Sequence, residues 1–254
     1  DTLSMGGDIG SSTQLAGVSN IEVIAPAGAH DITANGDLGG ATTFSLANAG
    51  DNVLTLSTGW TADTTVLLTG DSTNADKVLN NANVNLTVKG NSADFDAGTT
   101  ITGGSGTDEL LITADGDGTG SVLTAVTNVE KVTVVDAVTA GTDIKITPNL
   151  TTTKTISIDG SALDGSTQND ETLTVDAPTA AGTLNLTGGG GADSLYGGTK
   201  NDTIDGSMDM NDWYFHMRFK RTDGRNGGGV QSSCVGSDSH GDIEALDSNS
   251  DNIV

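Results

Sequence analysis

The sequence predicts an all-β chain: a parallel β-solenoid, or β-roll, followed by an irregular C-terminal tail. Three observations carry that expectation. Glycine fills 36 of 254 positions, about twice its average usage, and each glycine costs roughly 1 kcal/mol against alanine inside a helix. Short segments alternate apolar and polar residues with a period of two across residues 1–206, punctuated by Gly, Asn and Asp. Aromatic residues make up only 3% of the chain, so strands of about three to five residues lack the bulk for a deep sandwich core. They suit stacked rungs whose narrow interior takes about one or two apolar residues per turn. A β-sandwich array is the runner-up architecture.

The strand candidates, in order, are residues 21–24, 53–56, 84–88, 132–135, 144–146, 156–158, 173–175 and 184–186. Each is rich in Val, Ile, Leu and Thr, and none carries a helical repeat. At roughly 20 residues per rung and ~4.8 Å between rungs, about ten rungs would give a rod near 50 Å long.

Ten Lys+Arg against 34 Asp+Glu leave a net charge of −24. Such a surface repels nucleic acid and anionic membrane and attracts cations. Charged residues are only 17% of the chain, and the recurring β-branched runs argue for folding rather than disorder. No 18-residue apolar stretch is present, so no membrane insertion is expected, and Asp1-Thr2-Leu3 opens with neither a basic nor an apolar signal segment. Cys234 is the sole cysteine; an internal disulfide is impossible, and a staple would have to be metal.

Internal repeats divide the chain. Leu15-Ala16-Gly17-Val18-Ser19-Asn20-Ile21-Glu22 is echoed by Leu123-Thr124-Ala125-Val126-Thr127-Asn128-Val129-Glu130, which indicates two related modules, residues 1–107 and 108–206. Asp1-Thr2-Leu3 reads like Asp108-Glu109-Leu110 without its preceding glycines, so the chain is expected to be a piece of a longer polypeptide. Residues 207–254 differ in composition: they hold all three arginines, one of the two tryptophans, the only cysteine and two of the three histidines. Strict alternation over residues 213–220 predicts an amphipathic capping strand, and the Gly/Ser/Asp-rich remainder a flexible tail.

The strongest motif is tandem. Gly188-Gly189-Gly190-Gly191-Ala192-Asp193-Ser194-Leu195-Tyr196 is followed by Gly197-Gly198-Thr199-Lys200-Asn201-Asp202-Thr203-Ile204-Asp205. Both follow G-G-x-G-x-D-x-U-x, where U is a large apolar residue, with Lys200 in place of the third glycine. A complete but isolated copy begins Gly103-Gly104-Ser105-Gly106-Thr107-Asp108. Glycines that permit positive φ would let the turn curl until several carbonyl oxygens face one point. The aspartate adds a carboxylate, and such hard oxygen donors suit Ca²⁺. The candidate metal residues are therefore Gly103, Gly104, Gly106 and Asp108; Gly188, Gly189, Gly191 and Asp193; and Gly197, Gly198 and Asp202. The remaining ligands would come from a turn stacked on each, though sequence alone does not identify the partner of the 103–108 turn.

These nonapeptides resemble those of RTX proteins, calcium-binding proteins exported by type I secretion. The wider pattern over residues 1–206 resembles RTX-type bacterial surface-layer (S-layer) proteins. The resemblance implies a secreted, extracellular structural protein of the bacterial cell surface that folds in calcium and self-associates into a lattice. It also makes outer-membrane polysaccharide a candidate contact through another region. The alternatives are the stalk of an RTX adhesin or toxin and the C-terminal β-roll of a type I-secreted protease or lipase.

Other signals carry less. Asp71 with Asp76, Asp94 with Asp96, Asp115 with Asp117 and Asp159 with Asp164 are further ligand candidates, or simply turn formers. The repeated Asn20 and Asn128 are expected to make side-chain hydrogen bonds at a solenoid corner. No H-E-x-x-H, G-x-S-x-G or ordered Cys/His pair is present. No catalytic residue is assigned, and the chain is not expected to be an enzyme.

Overall fold

A computed structural model describes residues 1–47, 50–68, 75–95, 98–113, 123–135, 144–146, 154–163, 172–177, 180, 182–190, 193–206 and 216–217. Over these residues the chain is an all-β parallel solenoid. Gly191 and most of the 213–220 capping segment lie outside the described residues.

Ten strands form one long sheet: β1 (Thr2–Met5), β2 (Val23–Pro26), β4 (Thr43–Ser45), β6 (Thr64–Leu67), β8 (Leu86–Asn91), β10 (Glu109–Thr113), β12 (Lys131–Val135), β14 (Ile156–Asp159), β16 (Leu184–Thr187) and β18 (Thr203–Asp205). The intervening strands make two shorter sheets. One holds β3 (Asp31–Ala34), β5 (Val53–Leu56), β7 (Lys77–Asn80), β9 (Thr100–Thr102) and β11 (Val126–Thr127); the other holds β13 (Ile144–Ile146), β15 (Leu173–Asp176), β17 (Ser194–Tyr196) and β19 (His216–Met217). Each coil thus runs along the long sheet, turns, and returns along a short one. Among the described residues the helical segments are three short 3-10 turns, and no helix is long and apolar enough to cross a membrane.

Register follows from the apolar pattern, because a one-residue slip would turn every inward side chain to solvent. Ile24 pairs with Phe44, Phe44 with Val66, Val66 with Val88 and Val88 with Leu110. The same column continues through Val132, Ile158 and Leu186 to Ile204. All of these residues are buried. The interior is wider than the sequence pattern implied, since most four-residue strands turn two side chains inward, as Leu54 and Leu56 do from β5. The core aromatics fit this width: Phe44 packs edge-on against Trp60 with ring centroids 5.9 Å apart, and the Trp60 indole N–H donates to the Ala62 carbonyl at 2.7 Å and to Thr64 Oγ1 at 2.8 Å.

Coil length is not constant. Thr43, Thr65, Thr87, Glu109 and Lys131 stack at intervals of 22 residues. The next steps, Lys131 to Ser157 and Ser157 to Asn185, take 26 and 28 residues, and the last, Asn185 to Thr203, takes 18. That last coil is two nonapeptides long. The long sheet crosses residue 107 without a break, while the opposite face passes from one short sheet to the other between β11 and β13.

Candidate cation-binding turns

The three nonapeptides become turns at the edges of the coil. The 103–108 turn links β9 to β10; the 188–193 turn carries the chain from β16 on the long sheet to β17, and the 197–202 turn returns it from β17 to β18. The tandem copies therefore sit at opposite edges of one coil. Neighbours in sequence, they stack not on each other but on the coil before.

In all three turns the aspartate does the same work. Asp193 Oδ2 accepts the Gly189 N–H at 2.7 Å, and its Oδ1 accepts the Leu173 N–H of the preceding coil at 2.8 Å. Asp202 repeats this with Gly198 at 2.7 Å and Leu184 at 2.8 Å. Asp108 accepts the Gly104 N–H at 2.6 Å on Oδ2 and the Leu86 N–H at 2.9 Å on Oδ1. Each carboxylate folds its own turn and ties it to the previous coil.

The glycines are needed for a different reason from the one the sequence implied. None of Gly103, Gly104, Gly106, Gly188, Gly189, Gly197 and Gly198 has a positive φ. They are glycine because the neighbouring chain lies where a Cβ would stand. A methyl group on Gly104 would meet the Ala82 carbonyl oxygen at 2.7 Å, one on Gly106 the Val84 oxygen at 2.3 Å, and one on Gly198 the Ala180 oxygen at 2.7 Å. On Gly189 it would meet the carbonyl oxygens of Leu163 at 2.7 Å and Gly160 at 2.9 Å. These contacts also supply the stacked segment that sequence could not identify for the 103–108 turn: residues 80–85 of the coil before it.

Burial and charge set the electrostatics. Asp108 is fully buried and Asp193 nearly so. Burial pushes the Asp108 carboxyl above the usual aspartate range and the Glu130 charge adds to this, while hydrogen bonds from Gly104, Leu86 and Asn80 pull the other way. Neither Asp108 nor Asp202 has a lysine, arginine or histidine at ion-pair distance among the described residues. An ionised carboxylate has about four acceptor positions, and the two N–H groups on Asp202 leave room for a cation. Among the described residues no three His, Cys, Asp or Glu side chains gather as a metal site. Each turn brings one carboxylate, and further donors there would be carbonyl oxygens, a set that fits a hard ion such as Ca²⁺.

Sequence reasoning missed a second use of Asx residues. His30 N–H donates to Asn52 Oδ1 at 3.0 Å, and Asn52 N–H donates to Asp76 Oδ1 at 2.9 Å. These three residues immediately precede β3, β5 and β7, forming a ladder along one edge. At the other edge Asn85 N–H donates to Asp63 Oδ1 and Thr107 N–H to Asn85 Oδ1. The available signal was an Asp or Asn just before a period-two segment. Of the other candidate pairs, Asp76 and Asp94 are buried, whereas Asp71, Asp96, Asp115, Asp117 and Asp164 lie outside the described residues.

Comparison with known proteins gives no relative: no protein-family model, no curated protein and no solved structure matches the chain.

Proposed function

We propose that this chain is a structural, calcium-binding segment of a secreted bacterial cell-surface protein of the S-layer type, whose folding and lattice assembly depend on Ca²⁺. The observation that carries the reading is the placement of Asp193 and Asp202. Each is a carboxylate in a glycine turn, bridging two coils, with carbonyl oxygens of the preceding coil beside the turn glycines. The charge balance supports it. A chain with net charge −24 repels itself when compact, and each bound divalent ion removes two units of that charge.

Asp193 and Asp202 would hold the ion together with carbonyls of their own turns and of the segments beneath them. The ion supplies charge neutralisation and a cross-link between coils. Sites of about 10⁻⁴ to 10⁻³ M affinity would fill only in a calcium-rich medium, so folding would wait until export. The lattice partner is then another copy of the same chain. Circular dichroism of the full chain tests this: β signal should grow with millimolar calcium and vanish with chelator, and a spectrum identical in both contradicts it.

A further inference from the structure

The three nonapeptide turns differ at one position. In the 103–108 turn the Asn128 side-chain amide, from the next coil, donates to the Gly103 carbonyl at 2.8 Å and also to the Gly104 carbonyl. From the coil before, the Asn80 amide donates to Asp108 Oδ1 at 3.1 Å and to the Val84 carbonyl at 3.0 Å. The Ala82 N–H donates to Asn80 Oδ1 at 3.1 Å, which fixes that amide with its NH₂ toward the turn. Two NH₂ groups, each the positive end of an amide dipole, thus enter the turn from opposite sides and satisfy the oxygens that a cation would need.

Asn128 holds a left-handed φ of 57°; Asn and Gly tolerate that conformation best. Its counterpart at the 188–193 turn follows from the backbone. Gly103 N–H donates to the Thr127 carbonyl at 2.9 Å, and Gly188 N–H donates to the Asp205 carbonyl at 2.8 Å. The residue after each of those carbonyls lies against the turn: Asn128 in the first case, Gly206 in the second. Glycine has no amide to offer, and among the described residues no side-chain amide reaches the carbonyls of Gly188 or Gly189.

The geometry points to two classes of turn: in the 103–108 turn the amides of Asn80 and Asn128 take the place of a calcium ion, and cation dependence belongs to turns such as 188–193 that lack them. This inference rests on the calcium reading above, and it removes Asp108 from the ligands that reading would otherwise include. It also gives a reason for the isolated copy: far from the tandem pair, the solenoid is closed without metal.

Asn128→Gly reproduces at the first turn what Gly206 provides at the second, with no backbone strain. The full chain and this variant are compared by melting temperature in chelator and in millimolar calcium, and by bound calcium per chain from elemental analysis. In chelator the variant should melt roughly 4–8 °C below the parent, for two lost hydrogen bonds in a chain of this size. Calcium should close that gap, and the variant should bind one ion more than the parent. Equal ion counts and equal calcium shifts overturn the inference and leave the calcium reading standing. A parent that binds none beside a variant that binds one does the reverse. No calcium in either overturns both, and a variant that fails to fold even with calcium overturns the inference, because the ion then does not replace the amide.

Discussion

Asp202 Oδ1 accepts the backbone N–H of Leu184, 18 residues earlier, at 2.8 Å. The bond spans one full turn of the solenoid and lies at its edge, where the parallel ladder ends and backbone groups would otherwise face each other unpaired.

Removing such a carboxylate leaves two N–H groups without an acceptor. Asp193→Ala should cost about 2–4 kcal/mol in urea unfolding of the calcium-free chain. Asp202→Ala should cost less, because Asp193 is 5% exposed while Asp202 is only half-buried. In calcium both losses should grow. Equal costs with and without calcium would remove these residues from the proposed sites.

The glycine requirement is steric and local. Gly198→Ala would place its Cβ 2.7 Å from the Ala180 oxygen and 2.8 Å from the Ala180 Cβ, whereas a Cβ at Gly28 meets nothing within 4 Å. The first substitution should destabilise by about 1–3 kcal/mol. The second should lie within about 0.5 kcal/mol of the parent. Thermal melting of the two variants checks the contrast.

Asp76 should make the chain less stable as pH rises. It is buried, and desolvation holds its carboxyl above the ordinary value despite hydrogen bonds from Asn52, with Asp51 and Asp94 adding like charge. The folded chain therefore holds that proton more tightly than the unfolded one. Its favourable contribution is full below the unfolded value near 4 and is lost as pH climbs through the folded value. Asp76→Asn keeps an oxygen for the Asn52 N–H, as Asn52 does for His30. The variant should be the more stable at pH 7 and should lose its advantage near pH 4. A difference independent of pH contradicts the assignment.

Specific binding and general screening are separable. In chelator, added sodium chloride should raise the melting temperature modestly by screening the −24 charge. Millimolar calcium should raise it further than the same concentration of magnesium, which demands tighter octahedral geometry and dehydrates reluctantly. Identical shifts for the two ions would indicate screening alone.

Much of the fold was legible because a thin solenoid repeats one local instruction. The period-two segments at 53–56 and 144–146 are strands over those same residues, as β5 and β13. What the sequence concealed depends on stacking. Coil lengths vary from 18 to 28 residues between Asn185 and Thr203 and between Ser157 and Asn185. No fixed offset therefore finds the segment beneath a given turn, and the 80–85 partner of the 103–108 turn stayed hidden. The turn glycines were read as positive-φ positions when the constraint is the carbonyl of a neighbouring coil. Positive φ falls instead on Asn20 and Asn128, at 59° and 57°, the two asparagines marked out by the repeat, and Asn128 makes the corner hydrogen bonds expected of it.

The most direct test is a crystal structure of the chain grown in calcium, with anomalous difference density recorded at the turns. The account predicts a peak about 2.3–2.6 Å from a carboxylate oxygen of Asp193 and another beside Asp202. Ordered turns with no anomalous peak at either aspartate would contradict it.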